Sequence, residues 1–330
     1  MVYRFWAAMA VVGILASCGS GAPFGNPVDP VDPTDPTPPV DPLAVPTDIA
    51  KNLRSITYDP SGGGKLKVDL FGLTASSRTA TFVRAAALDV DGYRAFTYQE
   101  TGLQRTHLAF VADGLRSTVR AATVADGGQF NQHYGGGTYS RIDVYQAPVP
   151  RDGVETGQFS YAGTYAGVFV PGDVNNAGLP AGLTPYTPYR VQGETLIDAN
   201  FANNLVNGGV DNRWLLDAAG NPIDFNQDGI VDDNDKLKAI VFRGEYNTPN
   251  IDENGMFLGD VEFSLPDGEV PEGHSPIGTY GGMFGGVGAT DIAGAIVLNP
   301  IPGNRNIWEY GVFNLPRCDL AGASPLCVPR

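Results

Sequence analysis

Gly278-Thr-Tyr-Gly-Gly-Met-Phe-Gly-Gly-Val-Gly-Ala-Thr-Asp-Ile-Ala-Gly-Ala-Ile-Val-Leu298 is the stretch on which the fold turns. Taken with the two-residue period of a strand, Tyr280 and Phe284 share one face, while Gly281 and Met283 lie on the other. Beyond Gly288, Ile292, Ile296 and Leu298 fall on one side around Gly294. The pattern is strand, glycine corner, strand. Glycine inside a strand weakens it, so its repetition marks tight bends or close backbone approach, as at barrel corners. The pattern also recurs. Gly163-Thr-Tyr-Ala-Gly-Val-Phe169 matches Gly278-Thr-Tyr-Gly-Gly-Met-Phe284 at five of seven positions.

Working outward, residues 157–313 supply about eight strands, placed at 158–169, 189–201, 204–215, 237–246, 256–264, 278–285, 290–298 and 306–313. Asn203-Asn204, Asn254-Gly255 and the Gly285–Gly288 run are hairpin signals between them. Eight strands closing on themselves leave an interior that either side chains fill or one small ligand occupies. Upstream, from Lys51 to about Pro150, the text is again β-like. Lys65–Leu70 alternates polar and apolar, and Ala80–Leu88, Val90–Tyr93 and Arg94–Tyr98 read as a hairpin turning on Asp91-Gly92. Further strands are expected at 106–112, 117–124 and 138–145, with Gly62–Gly64 and Gly135–Gly137 as loops or sharp bends. The strands interleave too many charges and glycines for a continuous lipid-facing belt, so the barrel is read as a soluble one.

Composition agrees. The chain has 330 residues, 42% of them hydrophobic, enough to bury a core with room for two modest domains. Its 43 glycines and 26 prolines, without long helical patterns, favour an all-β, turn-rich protein. A net charge of −15 with no basic cluster argues against nucleic acid as a partner.

The pattern G-x-Y-G-G-x-F-G followed by A-x-D-I-A-G resembles the C-terminal signature of transferrin-binding-protein-like β-barrel lipoproteins. That group includes the lipoprotein subunit of bacterial transferrin receptors, complement-regulator-binding lipoproteins and some haemophores. The resemblance covers roughly residues 157–313, and Val191–Phe201, with Gly193, also looks like the family's second barrel strand. It implies a single lobe: a small β-rich handle at 49–156, then an eight-stranded antiparallel barrel at 157–313. It implies a non-catalytic binding protein whose ligand is a host or environmental protein or an iron- or haem-bearing molecule. Family members that capture transferrin usually have two such lobes, and this chain has length for one.

The N-terminus fits that class. Residues 1–17 read as a signal peptide, with Arg4 in the positive region and the apolar run Trp6–Leu15 too short to span a bilayer. Leu15-Ala16-Ser17-Cys18 looks like a bacterial lipobox, which implies cleavage before Cys18 and its lipidation; the other reading is an ordinary secretory signal with an incidental cysteine. Several acyl chains would anchor the chain stably in a membrane. Gly19 and Ser20 follow, without aspartate, a pattern that implies delivery to the outer membrane, and the family resemblance adds exposure at the cell surface. Residues 18–48 continue as a Pro/Asp-rich linker with repeats such as Val28-Asp-Pro30 and Thr34-Asp-Pro36, extended at roughly 3.1 Å per residue. In the tail, residues 314–330, Cys318 and Cys327 pair as one disulfide in an oxidising compartment, which leaves Cys18 for the lipid.

The sharpest chemical motif is Asp224-Phe-Asn226-Gln-Asp228-Gly229-Ile230-Val-Asp232-Asp-Asn-Asp235. Oxygen side chains at positions 1, 3, 5, 9 and 12, glycine at 6 and a carbonyl at 7 match a calcium loop. Asp224, Asn226, Asp228, Ile230, Asp232 and Asp235 are therefore the candidate Ca²⁺ ligands. Asp235 stands where the EF-hand has Glu, and the shorter carboxylate resembles single dockerin loops more closely. The bland alternative is an Asp/Gly-rich loop without an ion. Acidic residues continue to Glu272, opposed by Lys236, Lys238 and Arg243, as either a recognition face for a basic partner or a solvated rim. The three histidines, His107, His133 and His274, are haem-ligand candidates only through the family resemblance. Tyr134, Tyr139, Tyr186 and Tyr189 are candidate interface anchors or core residues. No G-x-S-x-G elbow or H-E-x-x-H spacing supports a hydrolase, so no catalytic residue is assigned. Against the ligand-binding reading stands a structural one, a calcium-stabilised envelope lipoprotein without a soluble ligand.

Overall fold

The structure is a computed structural model and describes residues 43–71, 77–102, 105–113, 118–128, 132–149, 157–171, 183–184, 186–244, 249–265, 275–299 and 307–327. The signal peptide, Cys18, the Pro/Asp repeats and His274 lie outside them. All the described residues belong to one compact unit, Thr37–Arg330.

A one-turn helix, α1 (Thr47–Ala50), starts inside the segment read as linker and buries Ile49 completely. Seven antiparallel strands follow as a meander in chain order: β1 (Leu53–Asp59), β2 (Lys65–Phe71), β3 (Ser77–Arg84), β4 (Arg94–Tyr98), β5 (His107–Asp113), β6 (Val119–Asp126) and β7 (Gly135–Arg141). A two-residue strand, β8 (Tyr145–Gln146), leads into eight longer-range partners: β9 (Gln158–Val170), β10 (Tyr189–Asn200), β11 (Leu205–Leu216), β12 (Ile240–Arg243), β13 (Met256–Phe263), β14 (Gly278–Val287), β15 (Asp291–Leu298) and β16 (Trp308–Pro316). Strands β9 to β16 pair antiparallel, with β9 against both β10 and β16 and β13 against β14, so the sheet closes into a barrel. The fold is all-β, as the alternation predicts, with a handle sheet before an eight-stranded barrel, as the family resemblance implies.

Side chains fill the barrel. Phe242 stacks on Tyr280 at 4.5 Å, and Phe284 touches Phe257 at 5.4 Å and Tyr161 at 5.5 Å between ring centres. The two matching heptapeptides occupy equivalent places, since Tyr165, Phe169, Tyr280 and Phe284 all enter this core. Glycine supplies the room for the rings. A Cβ at Gly282 would stand 2.3 Å from the Phe257 ring, and one at Gly294 would stand 2.2 Å from Phe313.

Strand β15 is buried at every residue. Ile292, Ile296 and Leu298 face the barrel interior, while Ala293, Ala295 and Val297 pack with Ala121, Ala125 and Tyr139 of the handle sheet. Polar contacts fix the same junction. Tyr93 donates to the Thr164 carbonyl at 2.7 Å and accepts the Asn314 N–H at 3.0 Å, and Thr118 donates to the Asp291 carboxylate at 2.6 Å.

Four expectations need correction. Gly135–Gly137 is not a loop but the start of β7. Its glycines allow the strand to lie flat, because a Cβ at Gly136 would stand 1.9 Å from the Ala50 carbonyl oxygen and one at Gly137 2.6 Å from the Ala295 Cβ. The strand expected through Leu88 ends at Arg84, and Ala86–Leu88 forms a 3₁₀ turn before the Val90–Tyr93 bridge. Strand β12 is only Ile240–Arg243, shorter than 237–246, because the Asn250 side chain takes its place beside β11, accepting the Val206 N–H at 2.7 Å and donating to its carbonyl at 3.2 Å. The last strand runs on to Pro316, into the expected tail.

Candidate functional site

The direction of each strand sorts the barrel connections into two ends. At one end, turns of 4, 12 and 3 residues (201–204, 244–255, 288–290) join neighbouring strands. From the other end the strands are joined by connections of 18, 23, 14 and 9 residues (171–188, 217–239, 264–277, 299–307). The described residues of these connections carry six Asp against two Lys, all of them in 217–239. Long connections on a rigid scaffold are where binding residues concentrate.

The calcium-type motif forms most of the 23-residue connection and sits on the barrel end. Ile223, Phe225 and Leu237 pack against the barrel core. A buried charge network anchors the chain where this loop returns. Arg213, 1% exposed, donates to the Lys238 carbonyl and pairs with fully buried Glu309 at 2.6 Å, whose other oxygen accepts the Tyr165 hydroxyl at 2.7 Å. Burial first, then the Glu309 charge, raises the Tyr165 pKa well above the usual tyrosine value, so the phenol stays a donor.

Within the loop, side-chain oxygens turn onto backbone amides. Asp224 accepts the Gly229 N–H, Asn226 the Asp228 N–H and Asp228 the Ile230 N–H, each at 2.9 Å. Gly229, at position 6, has φ +88°, a conformation that suits glycine. Asp235, 1% exposed, accepts the N–H groups of Phe225, Asn226 and Asp232, which hold its pKa below the usual carboxylate range. Asp232 caps the following 3₁₀ turn. Ile230 is exposed, and one oxygen of Asp224 is buried without a hydrogen-bond partner. Among the described residues, no three Asp, Glu, His or Cys side chains converge as an ion centre.

The other candidates scatter. His107 and His133 both lie near the Arg105–Asp126 ion pair of the handle sheet. His107 contacts Phe82 and Tyr98, and His133 packs on Trp308 at 4.8 Å. Burial lowers the pKa of both, that of His133 to about 4, so both imidazoles are neutral at pH 7. Tyr139 is a core residue, 2% exposed; Tyr189 packs on the barrel core, Tyr134 lies beneath the Arg105 guanidinium, and Tyr186 is exposed. Cys318 and Cys327 form the disulfide, and the Cys318 N–H donates to the Ser160 carbonyl, tying the tail to β9. Sequence reasoning missed Arg213 and Glu309, because a lone charge on a strand carries no local sign of its partner across a barrel.

No family model and no curated protein matches the chain. Solved structures do. The chain is similar to transferrin binding protein B. The intact N- and C-lobe Ap-TbpB shares 13% identity at a TM-score of 0.33, with 77% of this chain and 52% of that one covered. The isotype 1 protein from serogroup B Neisseria meningitidis shares 12% at 0.30, covering 76% and 39%. The Trp-176-Ala mutant vaccine antigen from Haemophilus parasuis Hp5 shares 13% at 0.32, covering 80% and 54%. The chain thus spans about half the length, or less, of each transferrin binding protein B it matches.

Proposed function

We propose that this chain is a non-catalytic binding protein, held at the outer-membrane surface by lipid on Cys18, that takes a protein or an iron- or haem-bearing ligand on the long-loop end of its barrel. The observation that carries this reading is the filled interior. With aromatic side chains stacked through the barrel, a ligand must bind outside, and the acidic end with four long connections is the surface built for it. The lipobox and the Pro/Asp spacer support an anchored domain held off a membrane. A protein ligand for this end presents positive charge to it, because like-charge contacts cost affinity and opposite fields speed association. The test is surface-immobilised full chain against haem, haem proteins, transferrin and complement regulators, repeated with Asp232→Lys plus Asp233→Lys. Saturable binding of one of them, slowed in association by the double variant and by salt, is expected. Silence across the panel would retire the reading.

We also propose that residues 224–235 take one Ca²⁺, as a structural ion that seals the barrel end. The support is the match of spacing, the Gly229 turn and the seating of Ile223 and Phe225 on the core. Loading requires the exposed Asn226, Asp228 and Asp232 side chains to leave their amides for the ion. An ion that binds only the native state raises the melting temperature by mass action. A Ca²⁺ shift reversed by EDTA and absent from Asp224→Ala plus Asp228→Ala is expected. Identical melts with Ca²⁺ and with EDTA would leave an acidic turn. This seal is also what the alternative function, a structural envelope lipoprotein, would need.

A further inference from the structure

Between the handle sheet and the long-loop end of the barrel lies a cleft of about 970 Å³. Leu88 and Leu108 line it from the sheet, Leu216, Ile223 and Tyr189 from the barrel, and threonine hydroxyls lie between. That volume, at a junction of two structural layers and with mostly apolar walls, is in the range that takes a small molecule. Arg190 also lines it, and it is the unusual member. Its side chain belongs to a residue only 4% exposed, and its guanidinium donates to two carbonyls, those of Asp89 and Asp217.

The carboxylates of those same residues face elsewhere. Asp89 is held by Arg84 through two bonds of 2.5 and 2.6 Å, and Asp217 accepts the Asn221 N–H at 2.8 Å. Among the described residues Arg190 has no carboxylate partner, whereas the equally buried Arg213 has Glu309. Asp217 and Asp89 attract the guanidinium only at longer range, and its burial still outweighs them, so an anion in direct contact would stabilise it.

We propose that the cleft binds an amphipathic monoanion, with an apolar chain along the leucine walls and one terminal carboxylate on Arg190. A single charge is preferred, because Asp217 and Asp224 also line the cleft and repel a dianion. The cleft borders the barrel-end surface assigned to a protein ligand and shares Asp224 with the 224–235 loop, but its apolar walls and Arg190 are argued independently of that reading.

Calorimetric titration of the full chain with laurate, dodecanol, dodecyltrimethylammonium and dodecyl phosphate tests it. Laurate binding about tenfold or more tighter than each of the other three is expected. Arg190→Gln should bring laurate down to the level of dodecanol while dodecanol itself is unchanged. Ala218→Trp, in an exposed turn that lines the cleft, should abolish binding of all four. If Arg190→Gln does not fold, the wild-type charge series and Ala218→Trp still decide. Equal affinities across the series, laurate binding that survives Ala218→Trp, or no binding of laurate to the wild-type chain would each overturn the proposal.

Discussion

The barrel and the handle sheet are both antiparallel meanders, yet they treat their edges differently. The barrel pairs β13 with β14 and leaves no free edge, so it can enclose polar groups such as Arg213, Glu309 and Tyr165 away from water. The handle sheet ends at β1 and β7 without a ladder between them. Asn52 spans the gap, donating its N–H to the Gly135 carbonyl at 3.1 Å while its own carbonyl accepts the Phe71 N–H at 3.0 Å. Its inner core is Leu66, Val68, Phe82, Phe96, Val111 and Val124, and its other face leans on β15 and β16 of the barrel. Both bury a charge pair, Arg213–Glu309 in the barrel and Arg105–Asp126 in the handle sheet, but only the barrel closes its own ladder.

Breaking the barrel's charge pair should give the largest effect. Arg213→Ala leaves Glu309 charged and buried, and should cost about 3–5 kcal/mol in urea denaturation. A loss below about 1 kcal/mol would mean that packing alone holds the closed interior. Next comes the junction. Gly137→Val drives a side chain into Ala295 and should cost about 1–3 kcal/mol. Hydrogen exchange should rise in β7 and β15 and stay unchanged in β10 and β11, which are paired far from the contact.

The handle sheet offers a pH test. His133 has a folded pKa of about 4 against 6.5 unfolded, so the unfolded chain takes up the proton first. Its contribution is intact above pH 6.5, is lost progressively as pH falls to 4, and changes no further below that. Discounted for partial exposure, the loss is roughly 2 kcal/mol. Stability curves of the wild type and His133→Phe should converge or cross over that window; parallel curves would show that the imidazole does not titrate there. The smallest effect belongs to the barrel's exposed pair. Arg243, 3.1 Å from Glu262 and partly solvated, should cost at most about 1 kcal/mol as Arg243→Ala, and less in high salt.

Legibility followed the range of the signal. Strands β2, β9, β10, β14 and β15 were visible because alternation and glycine corners are written within about ten residues. Turns at Asn204, Gly255 and Gly288 were visible because left-handed backbone demands particular residues. The loop at 224–235 announced its own shape through its spacing. Gly135–Gly137 misled, since a glycine run is the same text whether it bends a chain or flattens one against a neighbour. The short β12 was hidden too, because the Asn250 side chain that stands in for a strand lies 44 positions from its partner Val206.

The family resemblance supplied the order of handle and barrel; by itself the sequence determined the all-β class, most of the barrel strands, the disulfide partners and the turn at Gly229. Each of the latter depends on local periodicity, on backbone conformations open to few residues, or on the count of cysteines. Tertiary structure alone decided that the barrel is filled, that Arg213 meets Glu309 across 96 positions, and that Arg190 lines a cleft with no direct carboxylate partner among the described residues. Whether a charge is paired, and whether a glycine is a hinge or a contact, depends on residues brought together only when the sheet closes.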